Sequence, residues 1–142
     1  MRVDAERLAD ICTTLQRNFL LNISKELTRG NVSFAQYFLL GFLATKGELT
    51  MTEIAKKMGH TTAAATGLID RLEKVGHVTR GHALADRRKI LVKITESGQR
   101  IVHEVRDDMV TNLLKMMACL EPNEQRSWVQ IYEKISTYCQ CP

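Results

Sequence analysis

Residues 49–76, LTMTEIAKKMGHTTAAATGLIDRLEKVG, carry the signals of two short amphipathic helices joined by a tight turn. Thr50 is a typical N-cap, and Glu53 completes the pattern in which the cap and the third helical residue bind each other's backbone N–H groups. Gly59 favours a stop to the first helix, because glycine readily adopts the left-handed conformation that closes a helix. Thr61 can cap the second helix, which we expect to continue to the end of the stretch. Two helices in this arrangement predict a helix-turn-helix.

The outer N-terminal face of the second helix carries small, uncharged side chains, where an exposed helix usually carries Lys, Glu or Gln. Small residues permit close approach to another surface. Threonine hydroxyls and alanine methyls also suit the base edges and thymine methyls of the DNA major groove. Packing against another helix is the alternative explanation. The residues of this face are Thr62, Ala63, Ala64, Thr66 and Gly67.

The hydrophobic period changes from helical to alternating after Gly76, which predicts a β-hairpin directly after the helix-turn-helix. Residues 78–80 and 90–94 are the expected strands, and the loop between them contains the run Arg87-Arg88-Lys89. Between residues 50 and 95 there are nine Lys or Arg against four Asp or Glu, although the whole chain has a net charge of only +4. Such a hairpin is typical of a wing that meets a polyanion, and a solvated basic face is the alternative.

Amphipathic helices are predicted on both sides of this basic region. Residues 3–28 carry one apolar stripe at helical spacing, and residues 101–120 and 128–138 carry two more. One small domain cannot cover all of this apolar surface, so we expect the stripes to interlock between two copies of the chain. The predicted fold is mainly α with a small β-wing, a winged helix-turn-helix flanked by N- and C-terminal dimerisation helices. A further helix, residues 34–44 with Ser33 as its cap, is predicted to be buried and to be followed by a turn at 46–48.

Other classes of protein lack support in the sequence. The four cysteines and four histidines have no metal-ligand spacing, so we expect reduced thiols, no metal and no cofactor. Asp70 and Glu73 alternate with Arg71 and Lys74, which predicts surface ion pairs rather than a catalytic acid–base pair. Phosphate-loop and nucleophile motifs are missing too, so we do not expect an enzyme. With no long apolar run and no signal-peptide core, we expect a cytoplasmic protein without a membrane partner.

The sequence resembles the MarR family in three stretches: LTMTEIA at 49–55, TGLIDRLEKVG at 66–76, and DRR at 86–88 with LVKITESG at 91–98. The resemblance implies a single domain over residues 1–142, with a winged helix-turn-helix at 33–98 and dimerisation helices at 3–30 and 99–139. It also implies a homodimer that binds double-stranded operator DNA, as a repressor released by a small aromatic or anionic effector.

The resemblance further implies that Asp86 braces the wing loop and that Arg88 enters the minor groove. Family members often carry arginine or another polar residue at the positions of Thr62 and Gly67. Because these side chains are small here, we expect few direct hydrogen bonds to the bases and a larger part for the recognition of DNA shape. From the residues and the resemblance together, we predict DNA contacts by Thr50, Thr61, Thr62, Ala63, Ala64, Thr66, Gly67, Arg71, Arg80, Asp86, Arg87, Arg88 and Lys89.

Two alternatives remain open for the function. Peroxide-sensing relatives keep a reactive cysteine in the first helix, where this chain has Cys12. They follow it with an aromatic residue and a tyrosine, where this chain has Thr13 and Gln16. Packing on the apolar stripe is therefore the favoured role of Cys12, and redox sensing is the alternative. The second alternative is a winged-helix module that binds proteins and not DNA.

Overall fold

The computed structural model describes residues 1–140, apart from the side chains of residues 22, 24–26, 29 and 140. Cys141 lies outside the described residues. Residues 1–108 form one compact unit, and the residues from 109 onward form a second. Within the described part, the elements are α1 Arg2–Arg29, α2 Phe34–Lys46, β1 Glu48–Thr50, α3 Met51–Met58, α4 Thr62–Lys74, β2 Val78–His82, β3 Ile90–Ile94, α5 Glu96–Met117 and α6 Pro122–Gln140.

The predicted helix starts are confirmed by their caps. The Thr50 hydroxyl accepts the backbone N–H of Glu53 at 3.2 Å, and the Glu53 carboxylate accepts the N–H of Thr50 at 2.7 Å. Ser33 and Gln36 form the same reciprocal pair at the start of α2. The Thr61 hydroxyl accepts the N–H of Ala64 at 3.2 Å, which caps α4. These bonds satisfy N–H groups that a helix start would otherwise leave without partners.

The prediction of a simple turn at 46–48 is wrong, because Glu48 begins a strand. Only Gly47, with a φ of 82°, makes the turn. Strand β1 pairs antiparallel with β3, and β3 pairs antiparallel with β2, which gives the sheet order β1-β3-β2. Leu49 lies opposite Val92 in this sheet. A strand of three residues is too short to show a period of two, so only its distant partner β3 reveals it.

Helix α2 is buried on one face only, which corrects the prediction that it is buried as a whole. Leu39, Leu40 and Leu43 are fully buried and form the centre of the first unit's core. On the other face, Phe38 is 59% exposed and Phe42 is 36% exposed. The remaining large side chains with almost no exposure are Ile54, Ile69, Leu72, Val78, Val92 and Val105. The core thus joins α2, α3, α4, the sheet and the first half of α5.

His77 is a buried polar residue at the start of the hairpin, with only 6% of its surface exposed. Its Nε2 lies 2.9 Å from the carbonyl oxygen of Gly30, and its Nδ1 lies 3.0 Å from the hydroxyl of Ser97. Since a carbonyl can only accept, Nε2 carries the proton that is donated to Gly30. The Thr95 N–H donates to the carbonyl of His77 at 3.0 Å. His77 therefore ties the end of α1 and the start of α5 to the sheet.

Much of the apolar surface of the end helices is uncovered in the single chain. Helix α1 reaches the core through Ile23 and Leu27, whereas its N-terminal part exposes Leu8, Ile11 and Leu15. In the second unit, the exposed apolar residues are Val110, Leu113, Leu114, Val129, Ile131, Tyr132, Ile135 and Tyr138. Among the described residues, no helix has the length and apolar character needed to span a membrane.

Candidate nucleic-acid interface

The exposed face of α4 has the small residues that the sequence predicted. Ala65, Ile69 and Leu72 bury the opposite face against the core. Thr66 is half-buried, and its hydroxyl donates to the carbonyl of Thr62 at 2.8 Å, so this hydroxyl already has a partner. No helix of the described chain covers the exposed face, so packing within the chain does not explain its composition. The exposed residues are Thr62, Ala63, Ala64 and Gly67.

The start of α4 also suits a negatively charged partner. A helix carries partial positive charge at its N-terminus, and the first turn of α4 contains no acidic residue to neutralise it. The cap residue Thr61 is exposed beside this turn. The small face and the positive helix end therefore lie together at one end of α4, as in helices that bind phosphate.

The hydroxyl of Thr50 is already hydrogen-bonded to Glu53. Besides its capping bond, its hydroxyl lies 3.0 Å from the Glu53 carboxylate. Both bonds from Thr50 lower the pKa of Glu53 below its ordinary value, and the positive charges of Lys57 and Lys89 lower it further. Glu53 therefore stays ionised near neutral pH. Of the predicted contact residues, Thr50 is thus the one whose side chain mainly holds the start of α3.

The wing loop, residues 83–89, is closed by its own hydrogen bonds. The Ala83 N–H donates to the carbonyl of Lys89 at 3.0 Å, and the Lys89 N–H donates to the carbonyl of Asp86 at 3.0 Å. The carboxylate of Asp86 accepts the backbone N–H of Arg88 at 3.0 Å, so this side chain braces the loop. Arg87, Arg88 and Lys89 are exposed, and none forms an ion pair with a described carboxylate. The loop thus presents three exposed cations, of which Lys89 also interacts electrostatically with the Glu53 carboxylate.

Arg80 lies at the junction between the wing and α4. Its guanidinium pairs with the carboxylate of Asp70 through Nη2, and its Nε lies 3.3 Å from Glu73 Oε2. Only 25% of its side chain is exposed. The predicted ion pairs of Asp70 and Glu73 form, but their partner is Arg80 of the hairpin and not a cation of α4. Their spacing of three residues, which puts both on one side of the helix, is the signal that could have revealed a partner outside α4.

Two further predicted residues are exposed. Arg71 follows Ala64 and Gly67 at helical spacing on α4 and has no ion pair with a described residue. Cys12 is exposed on α1 in the single chain, whereas packing on the apolar stripe was the favoured role. A redox role for Cys12 stays a prediction. Within the described residues, no three His, Cys, Asp or Glu side chains cluster closely enough to hold a metal ion.

Known proteins share the fold of this chain and part of its sequence pattern. Residues 31–89 match the sequence model of the MarR family. The chain is 35% identical, over 106 residues, to the uncharacterized HTH-type transcriptional regulator YfiV of Bacillus subtilis (strain 168). That match covers 75% of this chain and 64% of the regulator, so the chain spans a little under two thirds of its length.

Two other proteins match over nearly their whole length. The HTH-type transcriptional repressor MdtR of Bacillus subtilis (strain 168) is 27% identical over 139 residues, which are 96% of this chain and 90% of that protein. The crystal structure of the YusO protein from Bacillus subtilis superposes with a TM-score of 0.77 at 26% identity, covering 94% of this chain and 96% of that chain. The chain therefore carries the sequence pattern of the MarR family over residues 31–89, and it shares the fold of the YusO protein along nearly its whole length.

Proposed function

We propose that the chain forms a homodimeric repressor that binds operator DNA in the cytoplasm and is released by a small-molecule effector. Each copy places α4 in the major groove and the wing loop in the adjacent minor groove. One observation carries this proposal. The uncovered small-residue face of α4 lies in the same unit as a braced loop with three exposed cations. Binding, and not catalysis, is the activity that such a surface supports.

The dimensions of DNA fit these two elements. The major groove is about 12 Å wide and admits one helix, and small residues let the helix backbone come close to the base edges. A narrow minor groove concentrates negative potential and attracts an inserted arginine. Because Asp86 holds the loop in shape before binding, less conformational entropy is lost when Arg88 is inserted.

The predicted contact residues take two roles in this proposal. Direct contacts come from the exposed residues of α4 and the wing loop: Thr62, Ala63, Ala64, Gly67, Arg71, Arg87, Arg88 and Lys89. The others hold these elements in place: Thr50 and Thr61 as caps, Asp86 within the loop, and Arg80 between the hairpin and α4. The Thr66 hydroxyl is engaged by the helix backbone, so Thr66 offers its methyl group.

The exposed apolar helices support the homodimer. Stable monomers rarely expose this many large apolar side chains on their helices, and a second copy supplies a matching surface. Two copies of α4 then reach half-sites about one helical turn of DNA apart, roughly 34–36 Å. Sedimentation equilibrium at low micromolar concentration should show a dimer. A compact, folded monomer under these conditions would contradict the proposed assembly.

DNA binding is tested with an operator selected from genomic fragments on the immobilised protein. Fluorescence anisotropy should show an affinity that falls steeply between low and moderate salt, because bound cations release counterions from DNA. Arg88→Ala should weaken binding by about 1–3 kcal/mol. The matched control is Arg100→Ala, which removes an exposed arginine from α5, outside the proposed interface.

Each result of this experiment discriminates between functions. Loss of affinity in Arg88→Ala but not in Arg100→Ala supports the proposed place of the wing. Equal affinities of the two variants contradict that place. A salt-independent affinity, or no affinity for any selected fragment, favours the alternative of a winged-helix module that binds proteins.

A further inference from the structure

The wing loop carries one large apolar side chain that takes no part in the core. Leu84 is fully exposed, and among the large apolar residues of the described chain only Met1 is exposed to the same degree. Its neighbours Ala83 and Ala85 are too small to cover it. Burial of a leucine side chain against a partner is favourable, so Leu84 is available for a contact outside its own chain.

Leu84 lies beside Arg88 in the closed loop. The Ala83 N–H donates to the carbonyl of Lys89, which joins the two arms of the loop at this pair. Leu84 follows Ala83 on one arm, and Arg88 precedes Lys89 on the other. Paired antiparallel backbones lie about 5 Å apart, and stacked base pairs lie about 3.4 Å apart. The two side chains can therefore reach the same minor groove within about one or two base-pair steps.

The charges around Leu84 favour DNA over an apolar partner. Asp86 is the only carboxylate of the loop, and it is bonded to the N–H of Arg88. An apolar protein surface would have to take the three exposed cations of the loop out of water, which is unfavourable. The minor groove instead has phosphates along its edges and a stack of apolar base faces inside. A leucine flanked by cations is complementary to such a groove.

An apolar side chain in the minor groove acts on the shape of the duplex. Proteins that bind this groove insert leucine and similar residues between base pairs, unstack one step in part and bend the DNA toward the major groove. Unstacking is easiest at the pyrimidine–purine steps TA and CA. Such a side chain therefore selects a sequence without any hydrogen bond to a base. The exposed face of α4 offers few hydrogen-bonding groups, which gives this kind of selection more weight.

We propose that Leu84 is a wedge that enters the DNA minor groove beside Arg88, unstacks one base-pair step and bends the operator. It favours a TA or CA step at the position that it meets in each half-site. The inference rests on the proposed function, because it requires the wing loop to lie in the minor groove. Leu84 is then a specificity-determining residue whose contribution is apolar, beside the electrostatic contribution of Arg88.

Leu84→Ala separates the wedge from the electrostatic contacts on the selected operator. It should weaken DNA binding about tenfold, whereas Leu84→Met should keep most of the affinity, because methionine also serves as a wedge. Since no charge is removed, the salt dependence of Leu84→Ala should equal that of the unchanged protein. Arg88→Ala should reduce the salt slope by about one unit for each bound wing. Unchanged affinity in Leu84→Ala, or a loss of its salt slope, would overturn the wedge.

Unstacking and bending can be observed directly. The adenine analogue 2-aminopurine, whose fluorescence rises when it is unstacked, is placed in turn in each TA or CA step of a half-site. One position should brighten with the unchanged protein and with Leu84→Met, but not with saturating Leu84→Ala. Energy transfer between dyes at the duplex ends should report a bend of at least about 20° that decreases in Leu84→Ala. Straight and fully stacked DNA in the complex of the unchanged protein would refute the proposal.

A double variant is the matched control. Leu84→Ala combined with Ala85→Leu keeps the composition and charge of the loop but moves the leucine by one position. Because neighbouring side chains point in different directions, this variant should bind and unstack DNA as Leu84→Ala does. Full recovery would show a general effect of an apolar loop and exclude a wedge. Both positions are exposed, so circular dichroism should show the same thermal midpoint for all variants.

The experiment distinguishes failure of the wedge from failure of the proposed function. If Arg88→Ala weakens DNA binding and Leu84→Ala does not, the proposed function stands and the wedge is wrong. If the unchanged protein binds no selected fragment, or binds without salt dependence, both are wrong. Binding to phosphatidylserine vesicles that Leu84→Ala abolishes, with DNA affinity unaffected, would assign the leucine to a lipid surface and overturn the wedge.

Discussion

Replacing Gly98 with alanine tests the packing at the start of α5. A Cβ atom at this position would lie 2.3 Å from the carbonyl oxygen of His77 and 2.8 Å from Cγ1 of Ile94. The carbonyl cannot retreat freely, because it accepts the N–H of Thr95 and the His77 ring is bonded to both Gly30 and Ser97. The added methyl group must therefore displace backbone that several hydrogen bonds hold in place.

The size of the effect follows from these contacts. Weakening two hydrogen bonds of His77 costs about 2 kcal/mol, and the crowding adds about 1–3 kcal/mol. The higher helix propensity of alanine offsets about 1 kcal/mol of this. The net loss of unfolding free energy is about 3 kcal/mol. In urea, with a slope of about 2 kcal/mol per molar, the midpoint should fall by about 1.5 M.

Circular dichroism in urea measures this midpoint, with all variants at one protein concentration because a dimer's stability depends on it. Gly67→Ala is the matched control, since its Cβ would meet no atom within 4 Å. Alanine has fewer accessible conformations than glycine in the unfolded chain. Gly67→Ala should therefore raise the free energy of unfolding by about 0.5–1 kcal/mol. The reasoning is refuted if Gly98→Ala is as stable as the unchanged protein or changes stability in the same direction as Gly67→Ala.

Two further predictions concern the helix-turn-helix. Ala64→Leu should change the preferred DNA sequence or abolish binding, because a bulky side chain meets the base edges, while the thermal midpoint stays unchanged since Ala64 is exposed. A binding-selection profile checks the first part and circular dichroism the second, and an unaltered profile with intact affinity would contradict the orientation of α4. Glu53→Gln should reduce the pH dependence of stability in the acid range. The pKa of Glu53 is lowered below 4.5 by its bonds from Thr50, so its stabilising effect is present above that pH and disappears as the pH falls through the folded value. Urea midpoints of both proteins should therefore differ at neutral pH and converge in acid, and a constant difference would count against the role of the carboxylate.

The local signals of the sequence predicted the helix-turn-helix well, because each signal and its partner lie within a few residues. Thr50 and Glu53 are three residues apart, so the cap could be recognised without knowledge of the fold. The wing was predicted from the change of period after Gly76, and the exposed cations of its loop were predicted from their consecutive order. Each of these features depends only on residues that lie close to it in the sequence.

Features that depend on distant partners could not be predicted in this way. Strand β1 exists because Glu48 and its neighbours pair with β3, which lies far along the chain. Arg80 was assigned to DNA contact, since its carboxylate partners Asp70 and Glu73 sit on another element. The sequence also provided no sign that His77 would be buried, because its two partners belong to α5 and to the end of α1.

The closure of the wing loop has a consequence for how such a protein can be altered. The last strand pair, His82 with Ile90, and the bond between Ala83 and Lys89 seal the base of the loop. The bonds described for Asp86 and Arg88 are internal to it. We therefore expect that the loop sequence can be exchanged without shifting the strand register that places Val92 in the core. Exchange of the loop should therefore alter the proposed minor-groove contact while α4 keeps its position.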